Sequence, residues 1–421
     1  MHTESTARIS SDIAVIGGGA AGMMAAVCAA RLGRKVVLIE KNEKLGKKLY
    51  ITGKGRCNFT NDCDAEEFLK HVPRNGRFLF SALHHFSPED MKRFLEEMNC
   101  PIKIERGRRG FPASDKSSDV IKAFRNALEN AKVQVLLQKC IVKIEMDQEK
   151  TEFRLFCSDG DLIVANKMIL ATGGLSYPST GSTGDGYRFA QDHGHQVLPC
   201  TPSLTGIQTA ESWPQHLQGI SLKNVSLTLK SNSKKLFSAQ GEMLFTHYGI
   251  SGPLVLEASS ILSGGVFSGK ELFIDMKPAV LLEKLDADLC RRFQSSGRKQ
   301  IASVLAEMLP HRMADVFLRD ICRIDDSLPC TQINAKQRRT IAETLKNIHL
   351  TPVSLRDFDE AIITRGGVSV KEINPATMES KLTPGLYFAG EIMDVDAFTG
   401  GYNLQIAFST GALAGFSAAQ Q

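Results

Sequence analysis

A glycine-rich turn near the start of the chain limits the fold more than any other feature. The pattern G-x-G-x-x-G at residues 17–22 directly follows an apolar run at residues 13–16. An alanine-rich segment comes next, and a second apolar run at residues 36–39 ends at Glu40. This order predicts a strand, a tight turn, a helix and a second parallel strand. Glu40 stands about 20 residues after the turn, where an acid accepts hydrogen bonds from a ribose diol.

Each glycine of this turn suits a separate task in dinucleotide binding. Gly17 permits the tight turn, Gly19 lets the backbone approach a pyrophosphate, and Gly22 lets the helix pack closely on the strand. The first helical N–H groups, at Ala20 and Ala21, offer unpaired donors and the positive end of the helix dipole to phosphates. The alternative is an α/β unit that binds no phosphate.

Length and composition exclude several classes of protein. At 421 residues the chain is long for one domain, and its net charge of +5 suits anionic ligands without indicating a nucleic-acid-binding protein. Ten scattered cysteines without a Cys-x-x-Cys pair predict reduced thiols and no metal site. The polar start of the chain and the absence of a long apolar run predict a cytoplasmic protein without a signal peptide or a membrane span.

The pattern of the sequence changes along the chain and predicts a nucleotide-binding domain with an insertion. Short alternating apolar segments, typical of antiparallel strands, begin after about residue 194. A helical stretch covers residues 281–349, and strands with glycine turns return from residue 361. The predicted segments are 1–193 and 364–421 for the nucleotide-binding domain, 194–278 and 350–363 for a β-barrel-like insert, and 279–349 for a helical insert.

Two segments of the first half are candidate ligand-binding loops. The sequence TGKGRCN at residues 52–58 has two glycines that let the backbone approach a flat ring or a phosphate. Its basic side chains supply positive charge, and its cysteine and asparagine can hydrogen-bond heteroatoms. The sequence ATGG at residues 171–174 ends an apolar run, at the sheet edge where doubly wound folds bind ligands, and TGDG follows at residues 183–186. The alternatives are a solvated basic loop and two ordinary turns.

Two segments near the C-terminus have the same character. Glycines recur in TRGGV at residues 364–368, and FAGE at residues 388–391 ends a predicted strand. Acidic residues follow, and a helix is predicted to begin at GGYN, residues 400–403. Acids can accept hydrogen bonds from a ribityl chain, and a helix N-terminus can stabilise negative charge on a reduced ring. The alternative is a glycine-rich turn between a strand and a helix.

Together these segments resemble the FAD-binding flavoproteins of the glutathione-reductase superclass. More narrowly, the chain resembles the BaiN/YhiN-like flavoprotein family, which is related to aminoacetone oxidase and to fumarate reductase flavoprotein subunits. The narrow match rests on TGKGRCNFTN at residues 52–61, FTHYGISGP at residues 245–253, and residues 364–368 and 390–405. The resemblance implies an α/β fold, in which a Rossmann-like FAD-binding domain of the glutathione-reductase/fumarate-reductase type is interrupted by a β-barrel-like domain and a small helical domain.

The resemblance also implies which residues contact a non-covalently bound FAD. The glycine turn would face the pyrophosphate, Glu40 the adenosine ribose, and the Val135 backbone the adenine. Glu391 or Asp396 would hold the ribityl chain, and residues 52–58 and 400–404 would border the flavin ring. The expected contacts are Gly17, Gly19, Ala20, Ala21, Gly22, Glu40, Lys41, Lys48, Thr52, Gly53, Gly55, Arg56, Cys57, Asn58, Val135, Thr172, Gly173, Gly174, Asp185, Gly390, Glu391, Asp396, Gly400, Gly401, Tyr402, Asn403 and Leu404.

The resemblance implies an oxidoreductase whose substrate is a small molecule. Because no second G-x-G-x-x-G follows a later strand, NAD(P)H, the expected electron donor, would dock only transiently at the flavin face; the alternative is another donor. The expected reaction is reduction of a C=C bond conjugated to a ketone, as in a 3-oxo bile acid or steroid. His247 and Tyr402 are the candidate catalytic groups. Their alternatives are a histidine that fixes a loop and a tyrosine that packs against the flavin or the core.

Two other functions stay open at this stage. One is an amine or aminoketone oxidase that passes electrons to O₂. The other is an FAD-containing module that binds RNA or a protein, against which the mild net charge argues. No nucleic-acid partner and no membrane association are therefore expected, and the sequence leaves the oligomeric state open.

Overall fold

A computed structural model describes residues 7–147, 149 and 151–420, so the start of the polar N-terminal segment lies outside the described residues. The chain divides into two compact units. The first holds the chain up to Pro202 and from Ile362 onward, and the second is Ser203–Ala361. Where the sequence predicts three domains the structure separates two units, and the finer division stays a prediction.

The elements are numbered in chain order. The strands are β1 (Arg8–Ile16), β2 (Val36–Ile39), β3 (Thr60–Asn61), β4 (Ile102–Glu105), β5 (Arg109–Pro112), β6 (Gln134–Leu136), β7 (Ile141–Asp147), β8 (Glu152–Cys157), β9 (Leu162–Leu170), β10 (Val197–Ser203), β11 (Ile207–Thr209), β12 (Ser221–Ser231), β13 (Lys234–Thr246), β14 (Gly249–Ser251), β15 (Lys270–Asp275), β16 (Ile348–Leu350), β17 (Pro352–Leu355), β18 (Ile363–Val368) and β19 (Leu386–Phe388). The α-helices are α1 (Ala20–Arg31), α2 (Lys47–Ile51), α3 (Ala65–Lys70), α4 (Phe80–His85), α5 (Pro88–Glu97), α6 (Ser117–Asn130), α7 (Asp185–Asp192), α8 (Trp213–His216), α9 (Pro253–Leu262), α10 (Leu282–Ser296), α11 (Ile301–Leu305), α12 (His311–Val316), α13 (Ala335–Lys346) and α14 (Tyr402–Gln420).

The first unit is built on a mixed sheet with the strand order β6-β2-β1-β9-β8-β7, and β19 also pairs with β9. Strands β6, β2, β1, β9 and β19 are parallel. All four residues of β2 are buried, as expected for a central strand with both faces covered. The register pairs Ile16 of β1 with Ile39 and with Leu170, so three strands end at the same edge. The predicted β-α-β unit is confirmed.

Helices α1 and α14 approach each other closely at two glycines of α14. A Cβ at Gly411 would lie 2.4 Å from the carbonyl oxygen of Ala21, and one at Gly415 would lie 2.3 Å from that of Ala25. These two glycines are four residues apart and therefore lie on the same face of α14. The contact fixes the position of the last helix of the chain relative to the first.

The second unit contains a seven-stranded sheet that curls on itself. Its strand order is β16-β15-β12-β13-β14-β11-β17. The two end strands, β16 and β17, are consecutive and separated only by Thr351, so the sheet must bend into a barrel-like form. Alternate residues of β12, such as Leu227 and Leu229, are fully buried. Helices α10 to α13 belong to the same unit, and the predicted β-barrel-like fold with added helices is confirmed.

His195 gives the first unit a pH-dependent contribution to stability. It is buried, its Nε2 lies 2.8 Å from Ser380 Oγ, and its Nδ1 lies 3.3 Å from a Glu372 carboxylate oxygen. Burial lowers the pKa of His195, and Glu372 opposes this only in part. Because the unfolded chain binds a proton more readily, stability is fully present above about pH 6.5 and is lost as the pH falls below it.

Replacing His195 by glutamine is therefore expected to flatten the decline in stability between about pH 7 and about pH 5.5. Urea unfolding midpoints across this range measure the effect. The matched control is His84→Gln, because His84 is an exposed histidine of the same unit and should leave the slope unchanged. Equal slopes for the wild type and the His195 variant would contradict the assignment.

Candidate functional site

The glycine turn after β1 has the geometry that a bound pyrophosphate requires. Gly17 has a φ of +108°, and a Cβ there would lie 2.4 Å from the carbonyl oxygen of Ala171. A Cβ at Gly22 would lie 1.8 Å from the carbonyl oxygen of Gly17. By contrast, a Cβ at Gly19 would meet no atom within 4 Å. Packing therefore requires the first and third glycines, whereas Gly19 borders open space at the start of α1.

A cleft runs from this turn along the carboxyl edge of the parallel strands. It contains residues that are far apart in sequence but were predicted to share one site. The predicted residues that line it are Gly17, Gly19, Ala20, Ala21, Glu40, Lys41, Lys48, Thr52, Thr172, Gly173, Asp185, Glu391, Asn403 and Leu404. All of them belong to the first unit.

Glu40 is held at one end of the cleft by three donors. Its Oε2 accepts a hydrogen bond from the Gly18 N–H at 2.8 Å. Its Oε1 accepts from the backbone N–H of Asn42 at 2.8 Å and from the Asn42 side-chain amide at 2.7 Å. These bonds fix a buried carboxylate whose Oε2 has a second lone pair. The geometry suits a ribose hydroxyl as a further donor.

Glu391 lines the cleft and belongs to a polar cluster. Its Oε2 lies 2.6 Å from Lys48 Nζ, and its Oε1 accepts from the Thr364 N–H at 2.8 Å. Thr364 in turn accepts from the Leu175 N–H at 2.7 Å. A Cβ at Gly174 would lie 2.4 Å from Thr364 Oγ1, so this glycine makes room for the cluster rather than lining the cleft.

Asp396, the other acid considered for the ribityl chain, is turned away from the cleft. Its side chain is 1% exposed and lies 2.5 Å from an Arg74 guanidinium nitrogen, while Asp394 lies 3.0 Å from the other. Burial raises the pKa of Asp396, and the Arg74 guanidinium partly offsets this. Of the two acids, Glu391 is therefore the one placed to contact a ligand.

Lys41 and Asp185 form an ion pair between the two ends of the cleft. Lys41 Nζ lies 2.5 Å from Asp185 Oδ2, and it also donates to Thr183 Oγ1. Burial acts to raise the pKa of Asp185, but the hydrogen bond and charge of Lys41, together with Thr183 and Arg188, outweigh it, and the pKa is lowered. Thr172, which was also predicted to contact the cofactor, packs closely on Gly186. A Cβ on Gly186 would lie 2.0 Å from Thr172 Oγ1, so this packing requires glycine.

The loop before α14 is tied to the first turn of that helix by Asn403. Its Oδ1 accepts from the Ala397 N–H at 2.8 Å, and its Nδ2 donates to the Ala397 carbonyl at 2.7 Å. Gly401 has a φ of +99°, and a Cβ there would lie 2.2 Å from the carbonyl oxygen of Thr60. Neither Gly400 nor Gly401 lines the cleft, whereas Asn403 and Leu404 do. Gly390 also serves packing, since a Cβ there would lie 2.7 Å from that of Ala21.

The loop at residues 52–58 supports the cleft more than it lines it. Thr52 lines the cleft, but Gly53, Gly55, Arg56, Cys57 and Asn58 do not. The Arg56 guanidinium binds Glu105 and Asp115 and lies 4.2 Å from the Phe111 ring centroid. With its amide oriented to satisfy its neighbours, Asn58 accepts from the Gly401 N–H at 3.0 Å. Cys57 is fully buried, and burial raises the pKa of its thiol, which disfavours a reactive thiolate.

Val135 does not line the cleft. It lies in β6, and it borders a second cavity instead. The cleft residues that the sequence did not predict include Lys139, Cys140 and Ile141, which follow β6. The Lys139 N–H donates to the Glu40 carbonyl at 3.0 Å, which brings this segment beside the end of β2. The rule that ligands bind outside the carboxyl ends of parallel strands could have identified it.

The two candidate catalytic side chains occupy different units. Tyr402 is buried in the first unit, where its ring stacks on His71 at 4.5 Å and meets Phe68 edge-on at 5.0 Å. It does not line the cleft, so its observed role is packing. His247 is exposed at the turn between β13 and β14 in the second unit, and its ring lies 5.0 Å from that of Tyr248. A catalytic role for either residue stays a prediction.

Two other kinds of feature are absent from the described residues. No group of three or more His, Cys, Asp or Glu side chains in residues 7–147, 149 and 151–420 could hold a metal ion. Within the same ranges, no helix is long and apolar enough to cross a membrane.

The fold and the cleft together define a Rossmann-type dinucleotide-binding protein. The chain belongs to the HI0933-like family, since the family described as "HI0933-like protein Rossmann domain" matches residues 11–417. This confirms the predicted membership of the BaiN/YhiN-like family of FAD-dependent oxidoreductases.

Three relatives match nearly the whole chain. A 3-dehydro-bile acid delta(4,6)-reductase of Clostridium scindens is 30% identical over 414 residues, which cover 97% of this chain and 99% of the relative. A ribosomal RNA dihydrouridine synthase of Escherichia coli is 31% identical over 399 residues, which cover 95% and 96%. A protein of the same name from Haemophilus influenzae is 29% identical over 414 residues, which cover 98% and 99%.

Two solved structures have the same fold at low sequence identity. A quinol-fumarate reductase aligns with a TM-score of 0.53 at 18% identity, covering 99% of this chain and 72% of its own. The 3-ketosteroid-delta4-(5alpha)-dehydrogenase of Rhodococcus jostii aligns with a TM-score of 0.50 at 14% identity, covering 100% and 99%. These alignments support the fold assignment.

Proposed function

We propose that this protein uses FAD to reduce a C=C bond conjugated to a carbonyl group. The observation that carries the proposal is the single cleft that joins the glycine turn, Glu40 and Glu391 in a chain of this family. The names of the relatives support the reaction class. Making dihydrouridine saturates the C5=C6 bond of uridine, which is conjugated to the C4 carbonyl, and a delta(4,6)-reductase saturates ring double bonds of a 3-oxo compound.

The residues of the cleft fit FAD. Gly19 leaves space beside the first N–H groups of α1, which are suited to a pyrophosphate. Glu40 retains a lone pair for a ribose hydroxyl, and Glu391 offers carboxylate oxygens to a polyhydroxyl chain. When bound, FAD supplies the hydride chemistry, and the protein supplies binding, orientation and electrostatics.

The cleft residues act on charge and position. Lys41 provides a cation near the phosphate-binding turn, with Asp185 holding its ammonium group in place. Asn403 fixes the first turn of α14, whose N-terminal dipole favours negative charge in the adjoining part of the cleft. NAD(P)H is the proposed electron donor. It would bind transiently, because the sequence has no second G-x-G-x-x-G after a later strand that would form a separate binding domain for it.

Replacing Glu40 by glutamine is expected to weaken FAD binding by about tenfold. The glutamine side chain has one acceptor oxygen where glutamate has two. It therefore cannot accept from both the Gly18 N–H and Asn42 and also offer a charged acceptor to a ribose hydroxyl. A hydrogen bond to a charged group contributes about 1.5–3 kcal/mol. Titration of the apoprotein with FAD measures the change. Glu66→Gln is the control, since it removes the same charge from an exposed position. Equal affinities of the two variants would contradict the assigned role of Glu40.

Two substrate classes are compatible with the proposed reaction. The Clostridium scindens relative supports a steroid-like enone, in agreement with the sequence-based expectation. The two relatives named as ribosomal RNA dihydrouridine synthases support a uracil ring in RNA. Arg106 and Arg108 at the exposed turn between β4 and β5 are cations that could meet a phosphate backbone. The expectation of no nucleic-acid partner stays a prediction that the experiment below tests.

The test is anaerobic reduction and reoxidation of the purified holoprotein. NADH or NADPH is expected to bleach the flavin absorbance, and a conjugated substrate is expected to restore it while gaining two hydrogen atoms by mass spectrometry. The oxidants are a 3-oxo-4-ene steroid and a uridine-containing ribosomal RNA fragment, with the saturated 3-oxo steroid as control. Reoxidation by O₂ alone, with stoichiometric H₂O₂ and both oxidants inert, would overturn the proposal in favour of an oxidase.

A further inference from the structure

A second cavity of about 660 Å³ lies in the first unit, separate from the cleft. This volume is within the usual range of small-molecule sites. Helix α6, the segment 43–50 and the strand β6 with its flanking residues form its walls. Six of the lining residues are aliphatic: Leu45, Ile121, Leu128, Val133, Val135 and Leu137. The side chains of Tyr50 and Leu137 are 53% and 40% exposed, so large apolar surface faces solvent here.

The rim of this cavity carries more positive than negative charge. Lys44, Lys122 and Arg125 line it, and none of the three pairs with a carboxylate in the part of the chain that the structure describes. Lys47 also lines it, but its Nζ lies 3.3 Å from Glu43 Oε2, so these two charges offset each other. The remaining carboxylate is that of Glu129.

The sequence of α6 explains why apolar and basic side chains meet here. Ser118, Ile121, Lys122, Arg125 and Leu128 are spaced by three and four residues, so they share one stripe of the helix. The stripe adjoins the face that buries Val120, Phe124 and Ala127 in the core, and Leu128, itself buried, belongs to both.

We propose that this cavity binds an anionic amphiphile with an aliphatic body, of the medium-chain carboxylate class. The aliphatic walls suit a hydrocarbon chain, and the three cations suit a carboxylate at the rim. A nucleotide fits less well, because the cavity lining has few uncharged polar side chains. They are the Ser118 hydroxyl and the Tyr50 phenol. There is thus no set of donors and acceptors to recognise the edge of a base.

The cavity and the dinucleotide cleft share a wall. Glu40, Lys41 and Asn42 line the cleft, whereas the next three residues line the cavity, and Lys47 lines both. The Gly46 N–H donates to the Gly18 carbonyl at 2.9 Å and ties this wall to the glycine turn. We expect a ligand that packs against this wall to strengthen cofactor binding, and the cofactor to strengthen ligand binding by the same factor.

Isothermal titration of the holoprotein with dodecanoate tests the site. We expect one molecule to bind per chain, and dodecyltrimethylammonium, which has the same tail and the opposite charge, not to bind. The variant Lys122→Glu with Arg125→Glu should weaken dodecanoate binding by about tenfold or more. The matched control is Lys116→Glu with Lys132→Glu, which makes the same charge change at exposed positions that do not line the cavity. This control should bind like the wild type.

The shared wall gives a second readout that does not depend on activity. Saturating dodecanoate should slow the release of FAD, followed by the rise of free flavin fluorescence, by about fivefold, and the double variant should lose this effect. Absence of dodecanoate binding, equal binding of the cationic amphiphile, or equal weakening in both double variants would overturn the proposal. These outcomes leave the proposed reaction untouched, because the reduction and reoxidation experiment is run without an amphiphile.

Discussion

Replacing Gly19 by valine is expected to raise the Kd for FAD at least about a hundredfold, while the free energy of unfolding of the apoprotein changes by no more than about 1 kcal/mol, the cost of a poorer helix N-cap. The reason is that a Cβ at this position meets no protein atom within 4 Å, and the backbone there has an ordinary negative φ. A side chain would occupy only the space that the pyrophosphate needs. Fluorescence titration with FAD measures affinity, and urea unfolding of the apoprotein measures stability.

Two other glycine substitutions make this expectation specific. Gly22→Ala should destabilise the apoprotein by about 1–3 kcal/mol, because its Cβ would lie 1.8 Å from a backbone oxygen. Gly76→Ala should change neither property, because its Cβ would be in ordinary contact with Val72 at 3.4 Å. A stable Gly19→Val variant that keeps wild-type affinity would contradict the assignment of the phosphate site.

Replacing Arg74 by methionine is expected to lower the free energy of unfolding by about 3–5 kcal/mol. The guanidinium contacts Asp394 and Asp396, whose side chains are 5% and 1% exposed, so its removal takes a counter-charge from two buried carboxylates. The pKa of Asp396 is already raised by burial and would rise further. Because Asp396 then protonates more readily in the folded state, the deficit should shrink between about pH 7 and about pH 5. Urea unfolding at both pH values measures it.

The comparison variant is Arg93→Met, which removes an arginine from an exposed helix surface. Its guanidinium lies 3.5 Å from Asp90 with 62% of the side chain exposed, and such pairs contribute about 0–1 kcal/mol. If the two variants lost the same stability, or if the Arg74 deficit grew at lower pH, the account of the buried charge cluster would be wrong.

The parts of the site that were predictable are those encoded by neighbouring residues. The glycine turn is one example, since Gly17, Gly19 and Gly22 and the strand before them form a continuous segment whose spacing defines its geometry. Glu40 follows from the next strand of the same unit. The β-barrel-like insert was predictable because alternation along β12 reports burial of one face.

The parts that were not predictable depend on which distant segments meet. Arg56 looks like a ligand-binding cation in sequence, but Glu105 and Asp115 lie 49 and 59 residues away and bind it in the fold. Asp396 and Glu391 have the same chemistry, and only the position of Arg74 decides which one faces the cleft. Val135 lies within β6, whereas Ile141 lies beyond the end of β6 and lines the cleft. To decide from the sequence which of the two borders the ligand would require the register of β6 on β2, which sets where β6 ends.

The contact between α1 and α14 has a consequence for biosynthesis. Because Gly411 and Gly415 seat α14 directly on α1, a nascent chain presents α1 without this cover until α14 has also been synthesised. Asn403 and Leu404, which border the cleft, emerge from the ribosome at the same late stage. We expect the cofactor to be acquired only after α14 has emerged and packed on α1.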